Sequence, residues 1–367
     1  MANILDYLDW RGDLTFEQDP FHEVDNLILS QLVYVDFQGI VGEEEIALQE
    51  ASEQFFLTHD EKEILSRVSM TKQAILVLKK MSETKRFQNV GLFGYQNIIR
   101  KEEQTQFAAL CIRLSDDSIY VAFSGTDATL IGWREDFNLA YLTETKGHRL
   151  ASAYVDRLCD MSCSGLRLGG HSKGGNFAAY AAMDCSPAVQ ERILQVYSND
   201  GPGFDKSVVK SSRYQKMVSR LISIMPESSL VGMLLEHQED YVLVQSTNVG
   251  MNQHDAMSWE VLGNHFVRAE QMDEKTVLLN ETLEQWLTHF NPTERQQMID
   301  ALFSLLDAAG IKTVDDFFEL RFSGLQEAVR ASQEISEDTR RLLGEAIRLL
   351  LQSGKEAMLT LWKDKEK

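Results

Sequence analysis

The chain has 367 residues, 44% hydrophobic and 25% charged, with a formal net charge of −20. That length fits one large domain with appendages or two domains, and the composition is ordinary for a globular protein. The acidity repels nucleic acid and anionic membranes, and no apolar stretch approaches a membrane span, so nucleic-acid binding and stable membrane insertion are both excluded as expectations.

The first residues lack a basic region followed by an apolar run, so no signal peptide is expected there. Up to about residue 90 the sequence reads as polar and helical. Leu27, Ile28, Leu32 and Val33 mark one helical face, and Ile64, Val68, Ile75 and Leu78 another. Phe107 to Leu114 and Ile119 to Phe123 are apolar runs split by Ser115-Asp116-Asp117-Ser118, which predicts two strands and a tight turn. A helix carrying Leu150, Tyr154, Leu158 and Met161 follows. Further strands are expected at Leu166 to Leu168, Ile193 to Tyr197, Leu221 to Met225 and Tyr241 to Gln245. Strands alternating with helices predict an α/β fold with a mostly parallel sheet covered on both faces.

The last hundred residues read as helices again. Asn291-Pro292-Thr293-Glu294 combines an N-cap, a proline at the first helical position and a capping-box glutamate. That helix is expected to bury Met298, Leu302 and Leu306 and to stop at Gly310. Another capping box is expected at Ser323 and Gln326, and a later helix with Leu343, Ile347, Leu350 and Leu351 on one face. The expected division is a hydrolase-type domain over 1–290, with its N-terminal helical segment, and a helical extension over 291–367.

Gly170-His171-Ser172-Lys173-Gly174 matches G-x-S-x-G between a short strand and a helix rich in alanine. A nucleophilic serine belongs on such a strand-to-helix turn, and glycines two residues away keep side chains off the neighbouring strand and helix. The helix N-terminus then offers free N–H groups to developing negative charge. Ser172 is therefore the candidate nucleophile. The base should follow it in the chain. His254, in a loop soon after the strand Tyr241 to Gln245, is the first choice, with His265 the runner-up. His289 reads as a helix-surface residue. His171 cannot act as base from the adjacent position and is expected to pack beside the turn.

The acid should follow the strand before the histidine strand, which selects Glu227 in Pro226-Glu227-Ser228-Ser229. Asp200, after Tyr197-Ser198-Asn199, is the alternative; Asp205 and Asp255 rank lower. For an oxyanion hole, the N–H of Lys173 is one expected donor and that of Thr126, in Ser124-Gly125-Thr126-Asp127, the second, with Asp127 as its neighbour.

These residues carry a resemblance. Val121-Ala122-Phe123-Ser124-Gly125-Thr126, with Trp133 and Asp136 downstream, resembles the oxyanion strand and loop of the class 3 lipase branch of the α/β hydrolases. The segment Gly170 to Gly175 resembles its nucleophile elbow, with lysine where leucine is usual. Ser198-Asn199-Asp200-Gly201-Pro202-Gly203-Phe204 and Gln253-His254-Asp255, with Trp259, look typical of a bacterial family of Mbeg-like proteins related to those lipases. In the lipases an aspartate supplies the acid in the stretch corresponding to Pro226 to Gly232, where this chain has serines.

The resemblance implies an α/β-hydrolase fold and hydrolase chemistry. The leading expectation is a serine esterase, lipase-like or thioesterase-like, acting on a small-molecule or lipid ester. A second is a hydrolase-fold binding protein that has lost activity, motivated by the missing aspartate and the large helical additions, and a third is amide or peptide hydrolysis by the same residues. None requires a metal or organic cofactor. The four cysteines Cys111, Cys159, Cys163 and Cys185 show no C-x-x-C pair and no zinc spacing, which predicts reduced thiols and a cytoplasmic location. The sequence leaves homo-oligomerisation and acyl-chain length open.

Overall fold

The computed structural model describes residues 2–66, 71–126, 130–139, 141–308, 310 and 336–341. Its eight-stranded sheet runs in chain order: β1 (Ile46–Ala47), β2 (Gly91–Arg100), β3 (Thr105–Arg113), β4 (Ser118–Phe123), β5 (Gly165–His171), β6 (Ile193–Asn199), β7 (Leu221–Pro226) and β8 (Tyr241–Val244). From β4 to β8 every neighbouring pair is parallel, and from β1 to β4 every pair is antiparallel. The hairpin expected between β3 and β4 forms, turning at Asp117 with φ of 60°.

Strand β2 was not expected from the sequence. It pairs with β3 along its length, but the register shifts between Phe93 and Gln96, and Gly94 there has φ of 68°. The irregularity breaks the period-two pattern that identifies a strand.

Alternation along the strands sends side chains into two cores. Leu110, Ile112, Tyr120 and Ala122 face the N-terminal helices, meeting Leu27, Ile28 and Leu32 of the helix Glu23–Leu32 and Ile75 and Leu78 of the helix Ala74–Ser82. Cys111, Val121, Phe123 and Leu168 face the other way, onto Ala151 and Tyr154 of the helix Lys146–Asp156 and Phe177, Ala178 and Ala181 of the helix Lys173–Asp184. Both faces of the sheet are thus buried, as parallel strands require. The N-terminal segment is one of the two covering layers. Arg86 locks it through a doubly hydrogen-bonded, fully buried pair with Asp25, at 2.8 and 2.5 Å.

The capping box at Asn291 and Glu294 forms, and the helix Pro292–Ala308 follows it. Its buried residues are Met298, Ile299, Ala301 and Phe303, while Leu302 is exposed, so the face differs from the expected one. The reason is its partner: Phe303 packs edge-on against Phe137 of the helix Leu130–Asn138, and Asp300 pairs with Arg134 at 2.5 Å. The helices expected around residues 323–326 and 343–351 lie outside the described residues. Among the described residues no helix is long and apolar enough to cross a membrane. Sheet order, helices on both faces and a sharp turn after β5 make this an α/β-hydrolase fold.

Candidate active site

The chain leaves β5 through Ser172, which sits at φ 59° and ψ −135°, and enters the helix Lys173–Asp184 at once. Few non-glycine residues adopt positive φ. The turn is held from β6: the Ser172 N–H donates to Asn199 O at 2.9 Å, and Asn199 Nδ2 donates to Gly170 O at 3.1 Å. Crowding explains the flanking glycines. A Cβ at Gly170 would lie 2.3 Å from the Gly174 carbonyl carbon, and one at Gly174 would lie 2.1 Å from Phe123 O. The Ser172 side chain stays partly accessible.

His254 ends a short turn of 3-10 helix, Gly250–His254, after β8. Its Nδ1–H donates to Asp200 Oδ2 at 2.6 Å. That fixes the tautomer and leaves Nε2 as the acceptor nitrogen. Its ring lies 4.6 Å from that of His171, the neighbour of Ser172, and His171 Nε2–H donates to His254 O at 2.7 Å. Burial, with the nearby His254 ring adding to it, lowers His171 to about 3 and keeps its imidazole neutral. His171 therefore packs beside the turn as expected and also fastens the loop that carries His254.

The two candidate acids differ in their contacts. Glu227 follows β7, but its backbone is occupied by sheet-end bonds to Val244 O and from Asp273 N–H, and its carboxylate does not bond His254. Asp200, the alternative, does. It takes φ of 52° directly after β6, a conformation that aspartate tolerates better than most residues. Its N–H donates to Ile224 O at 2.7 Å, and its carboxylate is buried. Asp205 and Asp255 are helix caps, accepting from the N–H groups of Ser207 and Met257. His265 is an exposed residue of the small hairpin formed with Val261–Leu262, and His289 is exposed at the end of the helix Glu274–His289.

On the other side of Ser172 lies the end of β4. A Cβ at Gly125 would sit 2.8 Å from Ser172 Cβ, so this loop touches the turn. The Gly125 N–H donates to the Tyr34 hydroxyl at 2.8 Å, which brings the N-terminal layer into the site. The Thr126 hydroxyl donates to Asp136, whose carboxyl burial pushes up to about 6 against the opposing pull of Lys173 and Thr126. Asp127 and the side chain of Trp133 lie outside the described residues.

The Lys173 N–H belongs to the first helical turn, where backbone N–H groups lack intrahelical acceptors. Its side chain is a second finding that the sequence did not reveal. The ammonium is buried and donates to Gln106 Oε1 at 2.9 Å and Glu135 Oε2 at 3.1 Å. Glu135 also accepts from the N–H groups of Gln106 and Gly147, at 3.0 and 3.1 Å. The lysine thus ties the helix after Ser172 to the helix Leu130–Asn138. No cluster of three or more His, Cys, Asp or Glu side chains suited to a metal occurs among the described residues.

The sequence profile of the Mbeg1-like family matches residues 81–304. No curated protein matches the sequence. Solved structures similar to the chain include a fungal lipase–inhibitor complex, 15% identical, covering 56% of this chain and 83% of that one, with a TM-score of 0.37. The native Rhizomucor miehei lipase propeptide complex is 14% identical over 60% and 83% of the two chains, with a TM-score of 0.36. The M37 lipase is 14% identical over 58% and 70%, with a TM-score of 0.34. These likenesses are distant, and the fold rests on the strand order described above. The family profile spans more than half of the length, and the chain belongs to the Mbeg1-like family.

Proposed function

We propose that the protein is a serine hydrolase acting on a carboxylic ester, small or lipid-like, or on a thioester. The observation that carries this reading is the Asp200–His254 hydrogen bond beside a serine held at positive φ on a strand-to-helix turn. In this reading Ser172 Oγ attacks the ester carbonyl while His254 Nε2 takes its proton. Asp200 keeps Nδ1 protonated and stabilises the imidazolium. The backbone N–H groups of Lys173 and Thr126 receive the oxyanion. The imidazolium then protonates the leaving alkoxide, and water, activated by the same nitrogen, releases the acid from the acyl-enzyme. The Ser172 hydroxyl has no hydrogen-bond partner among the described residues; such bonds often tighten only with substrate in place.

The chemistry needs no metal or organic cofactor. All four cysteines are free, which fits a reducing, cytoplasmic setting. The alternative reading, a binding protein on a hydrolase fold, drew on the serines in the stretch where an aspartate was expected. The carboxylate that Asp200 offers to His254 weakens that ground. A fluorophosphonate probe tests the choice. Labelling of the folded protein is expected, lost in Ser172→Ala and strongly reduced in His254→Ala. No labelling and no hydrolysis of p-nitrophenyl esters would favour the binding protein.

A further inference from the structure

The two oxygens of Asp200 have different neighbours. Oδ2 accepts from His254 Nδ1 at 2.6 Å. Oδ1 accepts from the Ser229 hydroxyl, and from the Gly232 N–H at 3.2 Å. The side chain is wholly buried, so water cannot replace these donors. Burying a carboxylate without such donors is costly. The carboxylate also needs them to hold one rotation, because its terminal torsion is otherwise broad.

Ser229 belongs to the loop Pro226 to Gly232, the stretch where the acid itself was expected. This loop grips the base as well. The Ser228 N–H donates to Gln253 Oε1 at 2.8 Å, and Gln253, directly before His254, donates from Nε2 to Asn248 O at 3.2 Å. Position 232 has no room for a side chain: a Cβ there would lie 2.4 Å from Asp200 Oδ1 and 2.7 Å from Ser229 Oγ. Behind the loop, Asn280 Nδ2 of the helix Glu274–His289 donates to Ser229 O at 3.4 Å.

We propose that Ser229 is a positioning residue: through Asp200 Oδ1 it sets the rotation of the carboxylate so that Oδ2 meets the His254 imidazole. The loop after β7 acts as a bracket that orients acid and base together. Its own carboxylate, that of Glu227, does not bond His254, and it holds instead the one that follows β6. This inference rests on the Ser172–His254–Asp200 reading of the site.

The test is Ser229→Ala in the full chain. With p-nitrophenyl butyrate, kcat is expected to fall about tenfold to a hundredfold, the scale of one hydrogen bond to a charged group, with KM within about twofold. The far-downfield proton resonance of His254 Nδ1–H, assigned by its loss in His254→Ala, is expected to move or broaden. An unchanged kcat would overturn the proposal, and so would a lowered kcat with the resonance unmoved. The resonance is read on the folded protein whether or not an ester is turned over. If Ser172→Ala retains turnover, the functional reading fails while the resonance still decides the role of Ser229. Should Ser229→Ala not fold, Ser229→Cys keeps the volume with a weaker donor and carries the same two readouts.

Discussion

Strands β6 and β7 are parallel neighbours, and each is followed directly by an acidic residue. After β6, Asp200 turns into the left-handed region, buries its carboxylate and meets His254. After β7, Glu227 spends its backbone on sheet-end bonds and stays partly exposed. Strand order alone favours β7. The contacts point the other way: at position 200 a left-handed step accompanies a short carboxylate that reaches the loop carrying His254. The two strand ends thus differ in backbone angle and in the donors that surround each carboxylate.

The largest test of this contrast is a pair of neutral isosteres. Asp200→Asn is expected to lower kcat by about 10³- to 10⁴-fold, since an amide at that place favours the wrong imidazole tautomer. Glu227→Gln is expected to leave kcat within about twofold. Steady-state hydrolysis of p-nitrophenyl butyrate measures both. Equal losses would erase the distinction between the two strand ends.

The far side of the serine turn offers a second contrast, now in stability. Lys173 and Glu135 form a buried pair, but Glu135 has two further backbone donors. Breaking a buried pair costs about 3–5 kcal/mol because one charge is left alone. Lys173→Met leaves a carboxylate that still accepts two N–H groups, so the low end, about 3 kcal/mol, is expected. Glu135→Leu strands an ammonium and both N–H groups, so about 5 kcal/mol is expected. Urea unfolding measures the difference, and the opposite order would show that the lysine is the better satisfied partner.

The sequence made some of these features legible and hid others for physical reasons. Strands β3 to β8 announced themselves as short apolar runs between polar turns, and the serine turn by its glycines. The bulge at Gly94 concealed β2. Asp200 was visible only as a second choice, because its aim depends on one torsion angle that composition does not encode. The role of Ser229 is invisible in the sequence, since a hydroxyl facing a carboxylate 29 positions away leaves no local pattern. Glu135, 38 positions from Lys173, was silent for the same reason.

Two buried histidines near the site allow a third test, through pH. His148 donates from Nε2 to Asn176 Oδ1 at 2.6 Å and accepts the Thr145 N–H at Nδ1, which makes it neutral. Burial lowers it to about 4. The unfolded chain takes up that proton near pH 6.5, the folded one only near 4. Stability therefore falls as pH drops from 6.5 toward 4, by about 2 kcal/mol at pH 5, and the loss levels off only below about pH 4. Urea midpoints across this window are expected to flatten in His148→Gln. A slope unchanged by that substitution would assign the acid sensitivity elsewhere, with His171 the next residue to replace.

The smallest expected effect returns to the two left-handed residues that face each other across β5 and β6. Ser172 at φ 59° and Asp200 at φ 52° both hold torsions that a β-carbon resists. At Ser172 the cost is not offset by any hydrogen bond of its side chain among the described residues, so Ser172→Gly is expected to be about 1–2 kcal/mol more stable than Ser172→Ala. At position 200 the aspartate is replaced in both variants, and either change also removes three hydrogen bonds to the carboxylate. Asp200→Gly should still exceed Asp200→Ala, by about 1 kcal/mol or less, the usual cost of a positive φ to a β-carbon, whereas the serine adds an extended ψ of −135° to its positive φ. Thermal unfolding of the four variants reads both differences. A larger gap at position 200 than at 172 would place the stored strain under the acid, and the serine turn would then be held by its glycines and β6 contacts without conformational cost.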